Sequence, residues 1–323
     1  MQFHTDEYIY AVSRIRCKEN KLLSAKNIDQ LISLPDEASV KRYLSEYGWE
    51  LSTDSSSDIL EVEQEALWKL MKELVGDLSI FDFFRIQNDF HNLKAAVKAI
   101  YSDCEPDSMF LSGSVYDPSD IYTAVKNKEY GDLPVYLKNT AEEAMSTLLK
   151  TGDGQLCDTI IDKACLSAVN KFGVSSSDSC IKEYCKVFVA CGNIKIAVRG
   201  SRVQKTADFI YRSMAECDGL DIKSLSTAAS KGFDEVCDYL SCTDYKNAVE
   251  YIRESLSSFE KWCDNHIMKV MKSQKSEPFS IGPLVAYVIA KQTEIKAVRL
   301  ILTAKINDLD DSIISERIRD MYV

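Results

Sequence analysis

Residues 92–98 read NLKAAVK, residues 193–199 read NIKIAVR, and residues 294–299 read EIKAVR. The three stretches begin 101 residues apart at each step, and Lys94, Lys195 and Lys296 keep the same interval. A single short match would carry little weight. Equal spacing over three copies identifies an internal repeat, which decides the architecture before any motif is considered.

The flanks repeat as well. A polar break precedes each stretch: GDLS at 76–79, GVSSSD at 173–178 and SQKSEPFS at 273–280. Before each break lies an amphipathic stretch, at 60–74, 156–172 and 256–271, with apolar residues at three- and four-residue steps such as Leu67, Leu70, Met71 and Leu74. Ser and Asp in the breaks are expected N-caps for the following helix. Each copy therefore reads as a helix, a tight polar turn and an antiparallel helix. Further helical segments at 25–47, 119–149 and 222–241 lead into these hairpins, and 53–58 (TDSSSD) and 103–120 read as exposed loops.

Glycine and proline number only 12 and 6 in 323 residues, about half the usual share, so an all-β fold lacks its turn residues. The expected fold is all-α, in three pseudo-symmetric helical units at 1–103, 104–205 and 206–323.

The charge layout repeats too. The first helices carry acid pairs (Glu61/Glu65, Asp158/Asp162, Glu260/Asp264), and the second helices carry basic pairs (Lys94/Lys98, Lys195/Arg199, Lys296/Arg299). Like charges one helical turn apart are unfavourable unless opposed. Folding each hairpin at its break predicts pairs near Glu61–Lys94, Asp158–Lys195 and Glu260–Lys296; the other reading makes the basic residues a binding ring. Asn92, Asn193 and Glu294 hold equivalent places and are candidates to line a cavity or bridge between units. A structural role is favoured, because buried polar groups need partners.

The formal net charge of −11 repels phosphate backbones and anionic lipid, so nucleic acid is not an expected partner. The cluster Arg199, Arg202 and Lys205 reads as a solvated helix face. Eleven cysteines, none in a CxxC pair, with three histidines far apart, predict small buried side chains in a reducing cytoplasm, with no zinc site and no cofactor. The polar start of the chain gives no secretory signal. The longest nearly uncharged run, 278–290, is too short for a membrane span.

No catalytic constellation stands out. GDG at 152–154 lacks the Lys-Ser/Thr of a phosphate loop. DLDD at 308–311 reads as an acidic first turn of a helix. His91, beside Asp89, aligns with Gly192 and Thr293 in the other copies and reads as a packing or surface residue.

Three stretches carry a family resemblance: EYIYAVSRIRCKENKLLS at 7–24, DFHNLKAAVKA at 89–99, and GPLVAYVIAKQTEIKAVRLILTAKINDLDDSIISERIRDMYV from 282 to the end. They resemble the C subunit of prokaryotic vacuolar-type (archaeal-type) rotary ATPases, related to the eukaryotic d subunit. The resemblance covers the whole chain, with a divergent, cysteine-rich middle; Ala304 stands where the family usually has glycine. It implies a funnel of three helical units around a central cavity. It also implies a non-catalytic coupler, seated between the central shaft subunits of the ATP-hydrolysing head and the membrane proteolipid ring. The coupler would serve proton or sodium transport, lie peripherally on the cytoplasmic face of the membrane, and be a monomer when isolated. The rival readings are a free-standing helical-repeat protein-binding scaffold, whose units usually span 30–50 residues, and a helical enzyme.

Overall fold

The computed structural model describes residues 5–50, 56–106 and 109–323. Among these residues there are sixteen α-helices and no strand. They are α1 (Thr5–Glu19), α2 (Ala25–Ser33), α3 (Glu37–Glu46), α4 (Ser56–Val75), α5 (Asp82–Ser102), α6 (Pro118–Asn127), α7 (Val135–Thr151) and α8 (Gly154–Ser175). There follow α9 (Ser179–Arg202), α10 (Ala207–Ser213), α11 (Ile222–Lys231), α12 (Phe233–Ser241), α13 (Val249–Glu254), α14 (Leu256–Ser273), α15 (Gly282–Ile306) and α16 (Asp311–Arg317). None is long and apolar enough to cross a membrane among the described residues.

The three amphipathic stretches are α4, α8 and α14, and the repeated basic stretches lie in α5, α9 and α15. The capping expectation holds for one of the three second helices. Asp178 caps α9 by accepting from the amides of Cys180 and Ile181, at 2.9 and 3.1 Å. Phe81 and Ile281 stand at the N-caps of α5 and α15 and make no side-chain cap bond. Short 3-10 turns precede them instead, at Leu78–Phe81 and Gln274–Ser276. Of the expected loop at 53–58, residues 53–55 lie outside the described residues, and 56–58 already belong to α4.

The segments that lead into the hairpins are each broken once or more. Residues 25–47 divide at Leu34–Asp36, and Asp36 caps α3 through the Ser39 amide at 2.8 Å. Residues 222–241 divide at Gly232. GDG at 152–154 is a helix junction: Gly152, with φ 65°, ends α7 in the left-handed region that glycine tolerates, and Asp153 caps α8 through the Leu156 amide at 3.0 Å.

The chain forms two compact units, Met1–Leu78 with Ser257–Val323, and Ser79–Leu256. The first has a core of Leu23, Ile28, Leu31 and Ile32 around α2, Val40 and Leu44 of α3, Ile59 and Leu60 of α4, and Val298, Ile301 and Leu302 of α15. The second has a core in which Phe90, Leu93 and Val97 of α5 meet Ile121 and Val125 of α6, Leu137 and Leu148 of α7, and Cys157 and Ile161 of α8. Here packing and sequence period differ in phase. In both cores a repeated basic helix meets the short helices that follow it in the period and the amphipathic helix of the next copy. For α15 the next copy is the N-terminal one.

Within the second unit α8 and α9 cross closely. A Cβ built on Gly173 would lie 2.5 Å from the Cβ of Cys185, and one on Gly192 would lie 2.6 Å from Cδ2 of Leu166. Only glycine lets the two backbones approach this far.

The last residues run without helix along the first unit. Arg319 reaches Asp264 at 3.0 Å, the Asp320 amide donates to Asn265 at 2.9 Å, and Tyr322 is buried with its hydroxyl 3.1 Å from Glu19. Lys275 donates to the Tyr322 carbonyl at 3.0 Å and lies over its ring.

Candidate functional site

Asn92, Asn193 and Glu294 are fully enclosed, each with 0% exposure. Asn92 on α5 donates to the Leu111 carbonyl at 3.0 Å and accepts from the Leu111 amide at 2.8 Å. Asn193 on α9 repeats this with Ala215, at 2.7 and 3.0 Å. A buried side-chain amide thus replaces the strand partner that an irregular segment lacks. Glu294 on α15 accepts from the Leu23 amide at 2.6 Å. In each case the gripped residue lies shortly before a helix that packs on the gripping one: Leu111 before α6, Ala215 before α11 and Leu23 before α2.

Helix α5 holds its segment at further points. Asn88 donates to the Ser112 carbonyl at 2.9 Å and Arg85 to the Ser114 carbonyl at 2.7 Å. His91 lies 3.1 Å from the Met109 carbonyl, which gives it a structural role. Asp89, fully buried, accepts from the amides of Val115 and Tyr116 at 2.9 and 3.0 Å and from the Tyr136 hydroxyl at 2.5 Å. Burial pushes the Asp89 carboxyl above the usual range, and these three donors pull against that without cancelling it.

On α15 the place of Asp89 is taken by Lys291. Its ammonium lies 2.6 Å from Glu294 and 2.8 Å from Glu63 on α4, with the Trp49 ring centroid 4.5 Å away. Burial works against charge on Lys291, yet the two carboxylates outweigh it and hold its pKa above the ordinary lysine value. Burial raises the Glu294 carboxyl, and Lys291 and the Leu23 amide only partly offset this.

Two of the three expected hairpin pairs, those of Lys94 and Asp158, take other partners. Asp158 binds Lys98 at 2.8 Å, and Lys94 binds Asp162 at 2.6 Å, so α8 pairs with α5 where Asp158–Lys195 was expected and where Lys94 was expected to meet Glu61. Asp264 of the third acid pair meets Arg319. For α8 the reason is the phase shift of the cores: within its unit it lies against α5, the basic helix of the copy before it. Glu63 with Lys291 follows the same rule. Of the remaining basic candidates, Lys195 is half-buried, and Arg199, Lys296 and Arg299 are exposed. Of DLDD, Asp311 binds Lys305 at 2.7 Å in the first turn of α16.

Sequence reading missed Asp89, Lys291 and Glu63 as partners. Asp89 and Lys291 each stand one turn before a repeat position, a spacing that places both on one helix face. Nothing in the sequence marks Glu63, because its contact spans more than two hundred residues. All eleven cysteines are free thiols, and the described residues hold no group of three or more His, Cys, Asp or Glu able to bind a metal.

These features define a class: an all-helical protein in which long repeated helices grip neighbouring segments through one buried polar side chain each. The chain belongs to the ATP synthase (C/AC39) subunit family, whose pattern matches residues 11–317. It is 22% identical to the C subunit of the V-type sodium ATPase of Enterococcus hirae, over 95% of this chain and 97% of the relative. It is 24% identical to the C subunit of the V-type ATP synthase of Thermus thermophilus, over 93% and 94% of the two chains. With the C subunit of the A-type ATP synthase of Methanocaldococcus jannaschii it shares 21% identity, over 98% of this chain and 86% of the relative.

Proposed function

We propose that the protein is the non-catalytic central-stalk subunit of a vacuolar-type ATPase. It couples the rotating shaft of the ATP-hydrolysing head to the membrane ion-carrying ring, and so links ATP turnover to proton or sodium movement from the cytoplasmic face. The observation that carries this reading is the family match over nearly the whole chain, at near-equal length with the V-type relatives.

The buried grips support a mechanical role in a specific way. Torque passes only through elements that resist relative displacement, and side chains gripping backbone at buried sites supply such resistance. On this reading the repeats at 1–103, 104–205 and 206–323 close around a cavity as three units. Asn92, Asn193 and Glu294 form the frame, and Lys94, Lys195, Arg199, Lys296 and Arg299 serve contacts between units or toward the cavity.

The test is assembly. The tagged chain is expected to co-purify with the shaft and ring subunits, and its removal is expected to leave ATP hydrolysis by the head without ion movement. A chain that never associates with the shaft, in cells that hold the complex, would instead be a free-standing scaffold.

A further inference from the structure

The three backbone grips differ in one respect that matters chemically. Asn92 and Asn193 are neutral amides, whereas Glu294 is ionisable and sits with Lys291 and Glu63, each no more than 12% exposed. Two carboxylates share one ammonium, so the fully ionised cluster holds a surplus negative charge in a buried place. Such a charge is costly, and the cost falls either by taking up a proton or by opening to water.

Among the described residues, the surroundings supply no second cation to the two carboxylates. Facing α15 are Glu63 from α4, the Leu23 amide from the segment before α2, and the Trp49 ring from the segment after α3. Tyr287 lies on α15 itself and feels Lys291, Glu294, Glu63 and Glu19. Glu19, from α1, is already bound by Arg16 at 2.7 Å. Lys275 is bound to the Tyr322 carbonyl, and Asp311 of α16 is bound to Lys305.

We propose that the Lys291–Glu294–Glu63 cluster is a proton-sensitive latch at the join between the two ends of the chain. It holds the Leu23 segment most firmly with one proton added and slackens as pH rises. The Asn193 grip is a neutral amide and holds its segment alike at any pH, whereas the segment held by Asn92 is also held by the buried Asp89 and is no neutral reference. The direction follows from the site: a buried carboxyl that prefers its neutral form adds stability at low pH, and that stability is lost as pH rises through the folded-state value. For Glu294 that value lies above the ordinary carboxylate range.

Hydrogen exchange on the intact chain tests this, because the molecule carries its own control. Protection of the Leu23 amide, corrected for the intrinsic exchange rate, is expected to fall by up to about tenfold per pH unit from about pH 5 upward. The Ala215 amide is expected to show no such slope. Glu63→Gln removes the surplus charge and should flatten the Leu23 slope. Parallel pH dependence at the Leu23 and Ala215 amides, or a Leu23 protection that falls on acidification, would overturn the proposal.

Discussion

Glu294 binds the backbone amide of Leu23 at 2.6 Å across 271 residues of chain, and so fastens one end of the protein to the other. Lys291 stands between Glu294 and Glu63 and makes the carboxylates tolerable there. Lys291→Met leaves both buried without a counter-charge, and breaking a buried pair in this way costs about 3–5 kcal/mol. Urea unfolding of the variant should show a loss of that size. A loss below about 1 kcal/mol would mean that water reaches the cluster.

Asn92 and Asn193 make the same two-bond grip, so their truncation should have the same signature. Asn92→Ala and Asn193→Ala each leave a backbone amide and carbonyl without their partner, at about 1–3 kcal/mol for each group at the buried Ala215 and less at the half-buried Leu111. Asn→Asp at either position keeps the shape but loses the donor and adds a buried charge. Both Asp variants are expected to be no more stable than the Ala variants, as read from unfolding midpoints.

The crossing of α8 and α9 depends on Gly173 and Gly192. A methyl group at Gly192 meets Leu166 and one at Gly173 meets Cys185 at distances that force a shift. Each Gly→Ala variant should lose about 1–3 kcal/mol despite the better helix propensity of alanine. Combining Gly192→Ala with Leu166→Ala should recover part of that clash, whereas simple additivity would show that Leu166 is not the obstacle.

The ion pairs of α5 with α8 are partly exposed, so each is worth about 0.2–1 kcal/mol. A double-mutant cycle on Lys98 and Asp158 should show favourable coupling, and one on Lys195 and Asp158 none. The reverse result would restore the pairing within the α8–α9 hairpin that the sequence pattern favours.

Thiol reactivity should divide the eleven cysteines. Cys17, Cys104 and Cys242 are exposed, whereas burial pushes Cys157 up to about 11 and Cys165, Cys180 and Cys185 up to about 12. The thiolate is the reactive form, so near pH 8 the native protein should label rapidly at the three exposed sites and slowly at these four. Unfolded protein should label at all eleven. Rapid labelling of Cys165 in the native state would show that α8 opens far more readily than its packing implies.

The features legible in the chain before folding were periodic and local. The 101-residue interval, the amphipathic stretches and the scarcity of glycine and proline located α4, α5, α8, α9, α14 and α15. The same interval singled out Asn92, Asn193 and Glu294 as equivalent, because a helix that must grip a backbone at one height needs a polar residue at one register. Asp178 was legible as a cap because its role is complete within three residues.

Which helix each repeated face meets was settled by packing across the whole chain. The acid and base pattern is equally satisfied by pairing within a hairpin or with the preceding copy, since charge spacing does not encode the partner's place in the chain. Packing chose the second for Asp158 and Asp162, because the apolar faces of α5 and α8 share one core with α6 and α7. The same choice brings Glu63 to Lys291 and Leu23 to Glu294. No local pattern could announce those contacts, for their partners lie at opposite ends of the sequence and meet only once the chain has folded back on itself.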